Sequence, residues 1–343
     1  MKKNYGYARV EEITKASPYR VTPRCAIANQ CGGCQIQHLD YEQQLNYKEK
    51  KVKDCLKHIG HFGDEIDSIM EPIIGMDEPY YYRNKIQTPV KKINKKIVSG
   101  FYKAKSHDIV PIDECVIEDK RSNKIINSIK KIMADFKIEP YDEDRRYGII
   151  RHILIRTSLH FNEIMVVLVT NCDSFPSRNN FINVIKKENP EITTIVQNIN
   201  KRDTNVILGE QERILYGKGY IVDSLCGIKF HISSKSFFQI NPIQTEKLYN
   251  YAKDNLNLKK SDTLLDAYSG VGTIGMSLAS KVKEVIRECF DLGPLHNPAN
   301  LMGIEACEKN AKGKKNVAVF DTTFGMSMEE KAYLCREKIE KQP

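Results

Sequence analysis

TLLDAYSGVGTIG, residues 263–275, indicates how the later part of the chain folds. TLLDAY has the apolar texture of a buried strand, and SGVGTIG is a glycine loop that leads into a helix predicted to run through MSLASKVKEV. A strand, a glycine loop and a helix in this order open a doubly wound α/β domain. We therefore predict the start of such a domain over residues 231–285.

The glycine loop itself suggests a ligand. Gly270 and Gly272 let a ligand approach the backbone, and the helix start behind them favours polar or anionic groups. A tight strand–helix turn without a ligand is the ordinary alternative. The aspartate that ends the strand, and the lack of a G-x-G-x-x-G pattern, favour S-adenosylmethionine over a dinucleotide.

The rest of the chain consists of segments with different patterns of apolar and polar residues. QTEKLYNYAKDNLNL, residues 244–258, is predicted helical, as are residues 40–60. Residues 71–230 read mostly as short strands with some helix. The fold class is thus α+β or α/β, in which a cysteine-bearing segment (24–70) and a β-rich central domain (71–230) precede the truncated doubly wound domain.

Charge points to a polyanionic partner. The 343 residues carry a net charge of +9, and all of it lies before residue 286, because the tail has equal numbers of basic and acidic residues. Nucleic acid is the partner that such a distribution favours, although a generally lysine-rich proteome would give the same excess. The chain lacks a signal peptide and a membrane-length apolar run, so we expect a cytoplasmic monomer that does not contact a membrane.

Three cysteines crowd the stretch CAIANQCGGC, residues 25–34. Cys25, Cys31 and Cys34 supply soft thiolate ligands for zinc or an iron–sulfur cluster, and the spacing does not separate the two. Cys115, in a turn-rich stretch, is the favoured fourth ligand, and Cys55 is its rival. Ordinary buried cysteines are the alternative interpretation.

The stretch CGGCQIQHLDYEQQLNYK, residues 31–48, resembles the iron–sulfur segment of the RNA (uracil-C5)-methyltransferases, especially those acting on 23S ribosomal RNA. YYYRNKIQTPV, GFYKAKSHDIVPIDEC, RHILIR and SFFQINPIQTEKLY are similar to further segments of that family, so the resemblance covers residues 4–285. It implies a [4Fe-4S] cluster on Cys25, Cys31, Cys34 and Cys115. It also implies that residues 1–23 are the remnant of a β-barrel RNA-binding domain.

The same resemblance implies a donor site and a reaction. Its donor-contacting residues are Gln239, Tyr268, Gly270, Gly272 and Thr273. In this family a cysteine adds to uracil C6, C5 attacks the methyl group, and a carboxylate base removes the C5 proton. The target base leaves its stack to reach such a site. Ribosomal RNA is the expected partner, and transfer RNA is the alternative.

The lysine-rich stretch KKINKKIVSGFYKAK, residues 91–105, is the predicted RNA-contacting part of the central domain. Its lysines suit phosphate contacts, and Phe101 and Tyr102 suit base stacking. A solvated hairpin face is the alternative.

The resemblance ends near residue 286. The family's nucleophilic cysteine and base have no counterpart in the tail, where Cys289, Cys307 and Cys335 lack the family context and Glu288 is out of alignment. We therefore expect no catalytic residues here, and low activity.

The tail, residues 286–343, resembles another family. PLHNPANLMGIEAC (294–307) and NVAVFDTTF (316–324) are similar to acetate kinase over about 287–330, and their His296 and Asp321 match positions that act there. Gly325 replaces a common histidine, and the kinase nucleotide-binding domain is absent from the sequence. These residues are therefore expected to be remnants of an incomplete site in a chimeric chain.

Three functions follow in order of preference. The first is S-adenosylmethionine-dependent methylation of uracil C5 in 23S ribosomal RNA. The second is a non-catalytic iron–sulfur RNA-binding module. The third and weakest is an acetate kinase-type phosphotransferase fragment.

Overall fold

The computed structural model describes residues 10–103, 106, 108–203, 206–266 and 272–287. They divide into two compact units, one ending at Gly75 and one beginning at Met76. The finer predicted boundaries at residues 23, 70, 230 and 285 stay predictions. Among the described residues, none of the helices combines the length and apolarity that a bilayer span needs.

The first unit is built around one long helix, α1 (Tyr41–Asp54), which lies within the predicted 40–60 helix. Asp40 caps it, because its side chain accepts a hydrogen bond from the Glu42 N–H at 3.1 Å. A π-helical turn, Cys55–Ile59, extends α1 to Gly60, the predicted end. A short 3₁₀ turn and α2 (Ile66–Ile69) follow.

The second unit contains a mixed α/β arrangement with a large, mostly antiparallel sheet. Its sheet strands and helices are β1 (Lys85–Ile93), β2 (Lys96–Tyr102), β3 (Ile109–Pro111), α3 (Lys120–Asp135), β4 (Ile150–Thr157), β5 (Ile164–Thr170), α4 (Arg178–Glu188), β6 (Thr194–Ile199) and β7 (Gln211–Tyr216). The strand order is β3-β2-β1-β4-β5-β6-β7. Among the described strands of this seven-stranded sheet, β5 and β6 form the parallel pair, and α4 makes the crossover that this pairing requires.

The two faces of this sheet are covered differently. On one face, α3 and α4 bury Ile125, Ile129 and Phe181 against the strands. The other face packs against a hairpin of β8 (Tyr220–Leu225) and β9 (Ile228–Ser233), through residues such as Val167 and Ile232. Because both faces are covered, β4, β5 and β6 are buried along their whole length, which explains apolar runs such as IMVVLVT.

The last described elements are α5 (Pro242–Asn255), β10 (Thr263–Asp266), α6 (Thr273–Leu278) and β11 (Glu284–Arg287). α5 and β10 match the predicted helix and strand in type, but β10 is not the buried strand that was expected, because its residues are half-buried or exposed. The predicted helix through MSLASKVKEV is wrong beyond a 3₁₀ turn at Ala279–Lys281, because β11 pairs in parallel with β10. This β10–α6–β11 unit is the arrangement that opens a doubly wound sheet.

Candidate functional site

The head of α6 holds part of the predicted donor loop. Gly272 precedes α6 in the left-handed region, with φ of +81°, a conformation that favours glycine. Gly272 and Thr273 are therefore placed at the end of the loop that follows β10. Tyr268 and Gly270 lie outside the described residues.

Gly275 fits α6 closely against β10. Its N–H donates to Asp266 Oδ2 at 2.9 Å, and a Cβ at this position would lie 2.7 Å from the same oxygen and 3.0 Å from Val285 Cγ1. Those distances are too short for a side chain, so the helix and the two strands approach as closely as they do because residue 275 is glycine. Asp266, the last residue of β10, thus holds the first turn of α6 by a hydrogen bond.

Thr273 is tied to α5. Its hydroxyl lies 3.2 Å from the hydroxyl of Tyr249, which is buried in the core of the hairpin-covered face. Sequence reasoning missed Tyr249, whose only signal was its place in a helical pattern. The bond links the start of α6 to the helix that directly follows the Gln239 segment.

Gln239 lies in an irregular segment, Ser234–Ile240, between β9 and α5. It is half-buried, and its backbone carbonyl accepts a hydrogen bond from Asn84 Nδ2 at 2.9 Å. The neighbouring Phe238 is buried, whereas Phe237 is 61% exposed. Asn84 and Phe237 were not among the predicted site residues, although both lie in stretches that resemble the methyltransferase family.

The three clustered cysteines lie in one loop of the first unit. All three are half-buried. The Gly33 N–H lies 3.3 Å from Cys31 Sγ, as a donor to sulfur, and a bridge between Arg20 and Leu39 closes the loop. Cys55 begins the π-helical turn of the same unit.

Cys115 belongs to the second unit, beside a buried carboxyl group. The side chain of Asn123 holds the Cys115 backbone at both its N–H and its carbonyl, at 3.0 and 3.1 Å. Burial raises the pKa of Glu118 to about 8, against the opposing effects of Arg83 and a hydrogen bond with Cys115. The two groups share a small cavity lined also by Thr88.

Metal binding receives no support from the arrangement of these groups. Across the parts of the chain that the structure describes, no three His, Cys, Asp or Glu side chains are grouped so that they could hold a metal ion. The ligand set Cys25, Cys31, Cys34 and Cys115 therefore stays a prediction.

The lysine-rich stretch forms the β1–β2 hairpin. Lys91, Lys95 and Lys96 are exposed there, as phosphate contacts require. Phe101 is not placed for base stacking, because it packs against the core under α3 and α4 and lines the Glu118 cavity. Tyr102, which is 38% exposed, is the aromatic residue that the hairpin leaves at the surface.

The fold and the α6 site define a methyltransferase-like α/β protein. A solved structure of Pyrococcus abyssi tRNA (uracil-54, C5)-methyltransferase with S-adenosyl-L-homocysteine is similar to this chain, with a TM-score of 0.60 and 27% identity. The similarity covers 78% of this chain and 58% of that structure.

Sequence relatives identify the family. A protein from Clostridium acetobutylicum named as an uncharacterized RNA methyltransferase is 42% identical over 89% of this chain and 67% of its own length. Another of that name, from Halalkalibacterium halodurans, is 43% identical over 83% of this chain. This chain belongs to the RNA methyltransferase family, and it spans 62% of the length of the H. halodurans relative.

A second similarity concerns the tail. The family model described as "Acetokinase family" matches residues 274–340, well under half of the chain. The match begins before the predicted junction at 286 and includes β11 and all of α6 except Thr273. His296 and Asp321, like Cys289, Cys307 and Cys335, lie outside the described residues.

Proposed function

We propose that this chain is the donor-binding and RNA-contacting part of an S-adenosylmethionine-dependent RNA methyltransferase that acts at uracil C5. The observation that carries the proposal is the link from Gln239 through α5 and Tyr249 to Thr273 at the head of α6. The uracil-C5 specificity of the P. abyssi protein is compatible with this assignment. 23S ribosomal RNA is the proposed substrate, transfer RNA is the alternative, and the cytoplasm is the proposed location.

The residues present fit the donor. Gly272, at the head of α6, has no side chain to block a ligand, and Gln239 lies two residues before Asn241, the N-cap of α5. S-adenosylmethionine would supply an electrophilic methyl group. Gln239, Gly272 and Thr273, together with Tyr268 and Gly270, would bind and orient it.

Donor binding and methyl transfer test the proposal separately. We expect saturable S-adenosylmethionine binding by calorimetry, weakened about tenfold by Gln239→Ala, since one or two hydrogen bonds are worth that factor. Gln211→Ala, at an exposed position of β7, is the matched control and should bind like the wild type. Failure of the wild-type protein to bind would contradict the donor assignment.

Transfer of labelled methyl to 23S ribosomal or transfer RNA should fall far below that of the C. acetobutylicum relative. The reason is that residues 276–343 do not supply the family's nucleophile and base pattern. Turnover equal to the relative's would show that the nucleophile is present after all.

We also propose that the clustered thiols bind a [4Fe-4S] cluster. The donor set suits iron and sulfide, and the Gly33 N–H beside Cys31 Sγ is the kind of contact that stabilises a thiolate. The cluster would fix a loop that otherwise has few buried residues. The resemblance assigns the fourth position to Cys115.

Anaerobically purified protein should show the broad visible absorbance of an iron–sulfur cluster. Cys31→Ser should abolish it, and Cys172→Ser, at a half-buried thiol outside the cluster set, should not. Cys115→Ser and Cys55→Ser distinguish the two candidates for the fourth ligand. A colourless protein that contains zinc would contradict the iron–sulfur assignment.

The alternative function is an iron–sulfur RNA-binding module without donor chemistry. The exposed lysines of the β1–β2 hairpin favour it. RNA binding that weakens with salt, in a protein that binds no donor, would select this alternative. The acetate kinase-type fragment remains the weakest candidate, and it rests on the match at residues 274–340.

A further inference from the structure

The segment Ser234–Ile240 carries Gln239 but forms neither helix nor strand. An irregular segment has no ladder of backbone bonds, so its carbonyl groups need partners from elsewhere. Asn84, directly before β1, and Arg156, on β4, supply them.

Asn84 holds the end of the segment. Its backbone N–H donates to the Ile240 carbonyl at 3.0 Å, and its side-chain amide donates to the Gln239 carbonyl at 2.9 Å. Its own carbonyl accepts the Thr157 N–H at 2.9 Å, which fixes Asn84 to the end of β4. Asn84 is buried, so these bonds are shielded from water.

Arg156 holds the beginning of the segment. Its Nη2 donates to the carbonyls of Ser234 at 3.1 Å and Ser236 at 2.5 Å. The residue is 4% exposed, and none of the described carboxylates forms an ion pair with it. Burial accordingly lowers the pKa of Arg156 to about 10.

This cation is therefore buried beside backbone carbonyls rather than beside an acid. Its register partner on β1 is Lys85, a second half-buried cation. An arrangement of this kind is costly unless the carbonyl contacts are kept. The contacts of Arg156 with the Ser234 and Ser236 carbonyls therefore fix the backbone conformation at the start of this segment.

We propose that Asn84 and Arg156 are positioning residues that clamp the Ser234–Ile240 segment onto the central sheet and so place Gln239 for the methyl donor. The inference rests on the proposed donor role of Gln239. Neither residue contacts the donor in this proposal; both act through the backbone that carries Gln239.

The test combines donor affinity with hydrogen exchange of the segment. In Arg156→Gln we expect the dissociation constant for S-adenosylmethionine to rise about tenfold. Amides of residues 237–241 should exchange about tenfold faster, while those of β5 stay protected. Arg156→Lys should recover part of both losses. The lysine ammonium group can still donate to a backbone carbonyl, but it lacks the planar guanidinium that donates in a fixed geometry.

Arg151→Gln is the matched control. Arg151 lies on the same strand, is equally buried, and donates to the carbonyls of Asn200 and Arg202, which belong to a different loop. Its loss should leave both donor affinity and exchange of residues 237–241 unchanged. Asn84→Ala, which removes only the bond to the Gln239 carbonyl, repeats the test if Arg156→Gln does not fold.

The possible results distinguish a failure of this inference from a failure of the proposed donor-binding function. A wild-type protein that binds no donor contradicts the proposed function, and the exchange measurement still tests the clamp. A wild-type protein that binds the donor, with affinity and exchange unchanged in Arg156→Gln or Asn84→Ala, overturns the clamp alone.

Discussion

Replacing Asp223 with alanine is expected to lower the free energy of unfolding by about 4 kcal/mol, because several donors would lose a charged acceptor and each such loss costs about 1–3 kcal/mol. Asp223 is fully buried on β8. Its carboxylate accepts hydrogen bonds from Ser158 Oγ and from the backbone N–H groups of Leu159 and His160, all at 3.0–3.1 Å. Alanine would leave these donors without a partner in the interior.

Urea unfolding of the wild-type and variant proteins measures this effect. Asp173→Ala is the matched control, because Asp173 is an exposed partner of Lys201, and it should change stability by no more than about 0.5 kcal/mol. Asp223→Asn should fall between the two, since an amide still accepts from some of the donors. A loss below about 1 kcal/mol in Asp223→Ala would show that the β4–β5 turn does not depend on this carboxylate.

The free energy of unfolding is expected to fall at acidic pH because of His152, and this is the second large effect. Burial on β4, with a smaller effect of Arg151, lowers the pKa of His152 to about 4 from an ordinary 6.5. The unfolded chain therefore binds a proton at this residue between about pH 6.5 and 4, whereas the folded protein does not. Stability contributed by the neutral imidazole is present above that window and is lost as the pH falls through it.

The expected loss from this residue between pH 7 and 4.5 is about 2 kcal/mol, from 1.36 kcal/mol for each unit of pKa shift. His152→Gln should remove that part of the pH dependence, whatever its effect on stability at pH 7. His231→Gln, at an exposed position on β9, is the control and should keep the wild-type slope. Equal slopes in the wild-type protein and His152→Gln would contradict the assignment.

Local patterns predicted much of the fold. The helix after Asp40 and α5 follow from helical spacing, and the apolar run IMVVLVT indicated a strand, β5. TLLDAY indicated a strand as well, but the prediction that it is buried is wrong, because Leu265 of β10 is 38% exposed. The failure at β11 has a physical cause: VKEVI is compatible with a helix locally, but its Val285 and Ile286 pair with β10 across the α6 crossover. Pairing between distant segments overrides a local preference.

The candidate site was only partly predictable. The family resemblance predicted Gln239, Gly272 and Thr273 as donor-contacting residues. It did not predict the residues that contact them in the structure. Asn84 is 155 residues from the carbonyl that it holds, and Arg156 is 78 and 80 residues from its two partners. No periodicity or spacing rule brings such residues together, because the contacts exist only once the central sheet has formed.

The strand order of that sheet has a consequence during synthesis. β1 lies between β2 and β4, and α3 and β3 come before β4 in the chain. A nascent polypeptide that has emerged only as far as α3 therefore presents β1 with one bare edge, the kind of surface to which chaperones and neighbouring chains attach. Emergence of residues 150–157 covers that edge, so a pause in translation before this point would leave the protein most prone to aggregate.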